Sequence, residues 1–371
     1  MTRILQLYIA WPMANNFSRL SPMPDIKEAT VRRQINGEYS LTCVLCKGSP
    51  LENDIGVGMA IKATVNEAGA EQMFIVKRRT RSLTGDMQIY AEHVSYLYNG
   101  IILHAGSANP NGRASNVFRN IRIGAVPDIT GICTWTYGRD AALRADFPQR
   151  RGPISVSSAL KSFLIGAAGG ELIFDGLDVE YVDQMGANNG AVYRYGVNLT
   201  DMQTEDVMDQ YHSGIYPYWG AQDDANKPLT TIQGGVYNYS GSYDITYIRP
   251  VDMTSLFETQ PTQQQLLDAC AAYEARYAPA PGWEGIPFST RASRVRIEGD
   301  VAVDLGDTVR VVNTPWGVDI NTRIYSMTFD ALRGRVIDVE FGTVNPGFAG
   351  AITDLIIGDG GVYNIVTPHR N

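Results

Sequence analysis

The chain has 371 residues, 44% apolar and 19% charged, which is long for one compact domain and ordinary for a globular protein of two to four. Its net charge of −8 argues against tight static binding of nucleic acid, which needs a basic stripe, but not against DNA passing by without sticking. No apolar run approaches the roughly 18 residues of a bilayer span. The first residues, Met1 to Ala10, are too short an apolar stretch for a secretory signal, so none is expected. The four cysteines (Cys43, Cys46, Cys133 and Cys270) are too few for a disulfide framework and suit synthesis in a reducing cytoplasm.

Taken in chain order, the elements are mainly β. Val31, Ile35, Tyr39, Leu41, Cys43 and Leu45 alternate with polar neighbours, and Asn36-Gly37 is a hairpin signal between two strands. Residues 58–66, 72–81 and 86–94 continue as strands, which makes 1–105 a first β-barrel-like module, completed by 190–250. Gly106 to Gly112 reads as a loop and a boundary. An α+β insert follows over 106–189. It carries a short helix at 115–121 and a better one at 157–165, where Leu160, Phe163 and Leu164 share a face and Ser157 serves as N-cap. Gly169-Gly170 stops that helix, and 171–182 reads as two strands around Asp175-Gly176. Strand patterning returns at 191–197 and 230–233. The tyrosines at 237, 239, 243 and 247 suggest a hairpin with its odd positions on one face, either a protein interface or a carbohydrate platform; the interface is preferred. A helical connection spans 251–285. Pro261 lies at or near the helix's first turn, Leu266, Leu267, Cys270, Tyr273 and Tyr277 follow, and Pro279, Pro281 and Gly282 end it. A second β-barrel-like module occupies 286–344, and 345–371 is a Gly-rich tail.

The two modules are related. Gly58-Met-Ala-Ile-Lys-Ala-Thr-Val-Asn66 parallels Gly306-Asp-Thr-Val-Arg-Val-Val-Asn-Thr314. A strand follows each, Met73–Lys77 and Thr322–Ser326, and then a similar turn, Ser82–Gly85 and Ala331–Gly334. A last strand closes each copy, but its apolar phase differs by one residue and its register stays open. Two copies in one chain point to assembly geometry rather than to one catalytic pocket. They are expected to superpose, to stand outside any shared core, and to expose the tips at Leu83–Gly85 and Leu332–Gly334. Lys77, Arg78, Arg79 and Arg81 beside the first tip, with Arg333 and Arg335 at the second, form basic edges suited to an acidic neighbouring ring or an adjacent chain.

Catalytic patterns are sparse, and no catalytic, cofactor or metal residue is assigned. The histidines are His93, His104, His212 and His369, with no pair at zinc-peptidase spacing. Cys43-Val-Leu-Cys46 would put its thiols on opposite faces of a strand, so packing is the better reading. Cys133 with His212 has no local signature of a nucleophilic pair. Gly166 to Gly170 lacks the Lys-Ser/Thr of a phosphate loop. Asp175, Asp178, Glu180 and Asp183 could in principle serve glycoside hydrolysis, but a solvated face explains them as well.

Gly169-Gly-Glu-Leu-Ile-Phe-Asp175 with Tyr195-Gly-Val-Asn-Leu199, Ile35–Leu41, Gln72–Val76 and Leu305–Val311 resembles the hub region of bacteriophage tail proteins often labelled prophage tail endopeptidase or tail-associated lysin. The motifs span most of 30–345. The resemblance implies a fold like the baseplate hub of contractile-tailed phages, with two β-barrel-like domains joined to smaller α+β domains. It also implies a homotrimer around a channel in the virion tail tip, assembled in the host cytoplasm. Implied partners are a distal tail protein hexamer, the tape-measure protein, and a tail fibre or receptor-binding protein, with DNA passing through. Lytic activity in that family resides in domains after the hub, so the peptidase label is not carried over. A cell-wall-degrading enzyme and a host-carbohydrate-binding module are the competing readings.

Overall fold

Seven strands open the chain: β1 (Leu5–Trp11), β2 (Asn16–Met23), β3 (Ile26–Gln34), β4 (Tyr39–Leu45), β5 (Ala60–Thr64), β6 (Glu71–Thr80) and β7 (Met87–His93). The structure is a computed structural model and describes residues 4–11, 16–81, 85–104, 109–138, 144–147, 153–166, 170–198, 201–206, 212–220, 228–241, 246–257, 259–278, 288–293 and 303–342. Asn36 takes φ 54° at the turn between β3 and β4, the left-handed conformation that Asn tolerates and that a tight hairpin demands. β5, β6 and β7 form an antiparallel meander, and β4 pairs with β7.

The insert contains β8 (Ile102–Leu103), β9 (Asn109–Arg113), α1 (Ala114–Ile123), β10 (Ala125–Val126), β11 (Trp135–Tyr137), β12 (Arg144–Phe147), β13 (Ile154–Ser155), α2 (Val156–Ala159), β14 (Glu171–Asp175) and β15 (Asp178–Val182). The expected loop is in part a strand, since 109–113 pairs with β12; residues 105–108 lie outside the described residues. The helix expected at 157–165 starts earlier. Ser155 is extended and accepts the Ser158 N–H, so it is the cap and Ser157 is inside; from Leu160 to Gly166 the helix widens into a π-helix. The β14–β15 hairpin turns at Gly176, φ 61°, as expected.

The rest of the chain differs most from the sequence reading. β16 (Asn188–Arg194) and β17 (Asp201–Asp206) do not complete the first module. They pair with strands of the second, because the outer edge of β5 is already taken by β1. β18 (Gly214–Trp219), β19 (Thr230–Thr231), β20 (Tyr237–Asn238) and β21 (Ile248–Asp252) form a separate small sheet. Helix α3 (Gln263–Tyr277) packs on it rather than merely connecting modules: Leu266 and Cys270 share a core with Ile215 and Trp219. Thr262 caps α3 in a capping box with Gln265, which puts Pro261 one residue before the cap. β22 (Phe288–Ser293), β23 (Thr308–Asn313), β24 (Val318–Asp330) and β25 (Arg335–Gly342) complete the second module.

The repeat is reproduced in hydrogen bonds. Gly58 N–H donates to Val76 O and Val76 N–H to Met59 O; Gly306 N–H donates to Ile324 O and Ile324 N–H to Asp307 O. Gly58 has φ 89° and Gly306 φ 90°, a left-handed conformation at the point where the chain joins the strand it then runs beside. Just beyond, both copies carry a bulge, between Val76 and Arg78 and between Ile324 and Ser326. One row across the sheet reads Val76, Ala91, Leu41, Val31, and its counterpart reads Ile324, Phe341, Thr290, Thr204. The strand orders therefore match: β3-β4-β7-β6-β5 in the first copy and β17-β22-β25-β24-β23 in the second. A second bulge, between Thr328 and Phe329, explains the slipped apolar phase of the last strand.

The copies do not stand apart from a shared core. The far end of β24 pairs antiparallel with β3, Val31 opposite Phe329, so both copies lie in one sheet and contribute to one apolar cluster running from Leu5 to Phe341. A second cluster fills the insert, around Phe118, Trp135, Leu164 and Tyr181.

Candidate assembly interface

The insert is fastened to both copies by polar side chains. Asn36 at the β3–β4 turn donates to Gly170 O (3.0 Å) and accepts the Leu172 N–H (3.0 Å). Gln72 donates to Asp175 (2.7 Å), accepts the Gly176 N–H (2.8 Å) and bonds His93 Nε2 (3.0 Å). On the second copy, buried Glu171 holds Arg323 by a two-pronged pair at 2.8 and 3.0 Å and accepts the Met185 N–H. Asp307 accepts the Ala187 N–H at 2.7 Å. There Gly186 and Gly306 pass so close that a Cβ on Gly186 would lie 2.2 Å from the Gly306 carbonyl carbon. The sequence reading took Asn36 as a turn former only and missed the roles of Glu171, Asp307 and Arg323. For Glu171 the signal was present, since it lies in the Gly-Gly-Glu-Leu-Ile-Phe-Asp motif.

These bonds account for the groups that might have carried chemistry. His93 is fully buried, stacks on Tyr39 at 4.0 Å, and bonds Ser95 and Gln72. Burial, with the Arg33 charge second, holds its pKa down at about 3, so the ring is neutral. Cys43 is buried and its thiol is pushed up by desolvation, while Cys46 is half-buried; both are free. Cys133 lies in the insert core against Tyr98, whereas His212 meets Tyr239 edge to face in the small domain. Asp178 caps the Thr134 N–H (2.5 Å), and Glu180 and Asp183 are exposed, so the carboxylates face solvent or close a turn. Tyr237 and Tyr239 pack into the small-domain core and Tyr247 is exposed, which is not one common face; Tyr243 lies outside the described residues. Among the described residues no cluster of three His, Cys, Asp or Glu could hold a metal.

The basic edge of the first copy is exposed from Lys77 to Arg81. Lys77 pairs with Glu92 at 3.6 Å, and Arg78 lies over the Tyr90 ring at 5.6 Å. Arg79 and Arg81 donate to the carbonyls of Ile55 and Glu52. At the second tip Arg333 pairs with Asp330 at 2.8 Å, and Arg335 is exposed. Leu332 corrects the expectation of an exposed tip. It is 5% exposed, because Asp330 accepts the Leu332 and Arg333 N–H groups and folds the turn onto the sheet. The first tip at 82–84 lies outside the described residues.

No family model and no curated protein matches the chain. Solved structures match it along nearly its whole length. It is similar to prophage tail protein gp18 of Listeria monocytogenes EGD-e, with TM-score 0.60 and 13% identity, covering 95% of this chain and 98% of that one. It is also similar to a tail protein of Neisseria meningitidis MC58, with TM-score 0.59 and 11% identity over 92% and 96%. A third match is a 43 kDa tail protein of prophage MuSo2 from Shewanella oneidensis, with TM-score 0.57 and 12% identity over 93% and 98%. The fold is thus one shared with prophage tail proteins.

Proposed function

We propose that the chain is a structural tail-hub protein of a phage or phage-like particle. In this reading three copies form a ring at the tail tip, the ring docks on the hexameric distal tail protein, and its bore is part of the conduit for tape-measure protein and DNA. A tail fibre or receptor-binding protein is the further neighbour. The observation that carries the reading is the near full-length likeness to prophage tail proteins. The repeat supports it: two copies of one five-strand unit in each of three chains make six similar surfaces, which suit a six-fold ring. The net charge of −8 per chain suits a wall that does not hold DNA.

The protein cleaves nothing in this reading. Purified chain is expected to leave peptidoglycan intact, and zymogram clearing lost in Asp178→Ala or Glu180→Ala would make it an enzyme. The basic edges at Lys77, Arg78, Arg79 and Arg81, and at Arg333 and Arg335, face an acidic ring or an adjacent chain. Exposed pairs of this kind contribute about 0.2–1 kcal/mol each, repeated around the ring. Native mass measurement of the chain mixed with the distal tail protein is the direct test. The expected product is three copies on one hexamer, weakened by Arg79→Glu with Arg335→Glu; a monomer that ignores the hexamer overturns the hub.

A further inference from the structure

Where the first copy, the insert and the second copy meet, the chain holds a part-open cavity of about 370 Å³, within the range of small-ligand pockets. Tyr39 on β4 forms one part of its wall, Leu160 and Ile165 on the π-helix another, and Phe174 on β14 and Leu305 of the second copy the rest of its apolar lining. The cavity lies in the seam between two cores. Leu160 belongs to the insert cluster, and Leu305 packs against the cluster shared by the two copies. A π-helix is a widened turn, rare and concentrated at functional sites, and here it supplies part of the wall.

The polar groups of the wall are unevenly satisfied. Asp304 accepts from Arg33, from Asn66 Nδ2 at 2.9 Å and from the Leu305 N–H at 2.7 Å. Asp307 accepts from the Ala187 N–H at 2.7 Å, from Asn189 Nδ2 at 3.3 Å and from the Asp304 N–H at 2.9 Å. Glu38 is held by Ser40 and Arg32. The protein itself thus occupies the acceptors. Two donors are left over. The Arg33 Nε–H is buried with no acceptor among the described residues. Lys161, exposed at the opening, has no ion partner among them. A buried N–H left unmet is costly, so the wall calls for an acceptor from outside.

We propose that this cavity binds a small amphipathic acid, its apolar body in the seam between the cores and its carboxylate on the donors that Arg33 and Lys161 leave unmatched. An ammonium or a polyhydroxylic ligand fits less well, because its donors need acceptors that are already engaged. The charges agree with an acid. Arg33 and Asp304 cancel within the wall, Arg32 stands beside Glu38, and the Asp307 charge is spread over three N–H donors, which leaves the Lys161 ammonium to be met. The occupant would touch the same three bodies that Asn36, Gln72 and Glu171 tie together, so binding stabilises their junction as ligand concentration rises. The proposal concerns a single chain and stands or falls apart from the hub reading.

Calorimetric titration of the purified full chain with octanoate is the test. One saturable site per chain is expected, with a melting temperature that rises with octanoate concentration. Octanol, the same body without the carboxylate, is expected to bind about tenfold more weakly, and octylammonium more weakly still. Lys161→Met keeps the apolar stem and removes the charge; it is expected to weaken octanoate about tenfold and leave octanol unchanged. Ser157→Phe on α2 and Ile173→Trp on β14 add bulk at the wall from positions that are not fully buried. At least one is expected to abolish binding of both ligands while the ligand-free chain melts as before. No saturable octanoate site, equal affinity for octanol, an unchanged affinity in Lys161→Met, or a site that survives both bulky variants would each overturn the proposal. Trimers that dock on the distal tail hexamer but bind no octanoate would remove the cavity ligand and leave the hub standing. A monomer with the octanoate site would do the reverse.

Discussion

Residues 77–81 at the end of β6 and 325–329 of β24 hold the same place in two copies of one fold, yet the first run is exposed throughout and the second is half-buried or buried. The bulge, the left-handed glycine and the ladder on the inner side are alike. What differs is the company: β3 covers residues 326–330 of β24, and no described strand covers residues 78–81 on the side away from β7. Side-chain chemistry has followed the covering, with Met327 and Phe329 in one copy and Arg79 and Arg81 in the other. Equivalent backbone positions therefore acquire opposite solvation from the neighbour alone, and composition at an edge reports whether the fold itself closes it.

The comparison breaks if the covered and uncovered positions respond alike to truncation. Phe329, fully buried, is expected to lose about 4 kcal/mol on Phe329→Ala, transfer and cavity costs together, read as a fall in denaturant midpoint at unchanged slope. Next in size is the tie between the second copy and the insert. Arg323→Met leaves the Glu171 carboxylate buried without its ion partner and is expected to cost about 3 kcal/mol by the same measurement.

The first copy holds the insert through a titratable group, which separates the two ties by pH. His93 has a pKa of about 3 in the fold, against about 6.5 when exposed. Between those values the unfolded chain binds a proton that the folded chain refuses, so stability is complete above about pH 6.5 and falls on acidification. The slope is about 1.4 kcal/mol per pH unit over the middle of that window. His93→Gln is expected to remove that component in denaturant titrations at pH 6.5, 5.5 and 4.5; an unchanged slope would mean that the ring is not desolvated. The smallest effect belongs to Arg81→Ala, the counterpart of Phe329, which is expected to stay within about 0.5 kcal/mol in the isolated chain.

Much of this architecture was legible from local signals. Asn36-Gly37 and Asp175-Gly176 marked real turns because left-handed backbone restricts residue choice. The Gly58 and Gly306 segments revealed the repeat because the same strained turn recurs. Longer-range features were hidden. That β16 and β17 join the second module depends on β1 having filled an edge of the first, which no local pattern encodes. The slipped phase of β25 required knowing of a second bulge. In the candidate interface the basic run stood out as a cluster of like charges. The Glu171–Arg323 pair joins residues far apart in the chain and leaves no periodic trace.

The small domain of β18–β21 and α3 enters and leaves the second copy between β17 and β22, where the first copy has the tight Asn36-Gly37 turn. Asp206 and Phe288, its flanking residues, face each other across the ladder, so its entry and exit points are neighbours. A body attached by two adjacent threads neither stretches the sheet nor interrupts its hydrogen bonds. Loop-closure entropy grows so slowly with length that exchanging it for a larger or smaller body has little thermodynamic consequence for the scaffold. The β17–β22 turn is thus a socket, at which the attached body can be refitted while the duplicated sheet behind it keeps its shape.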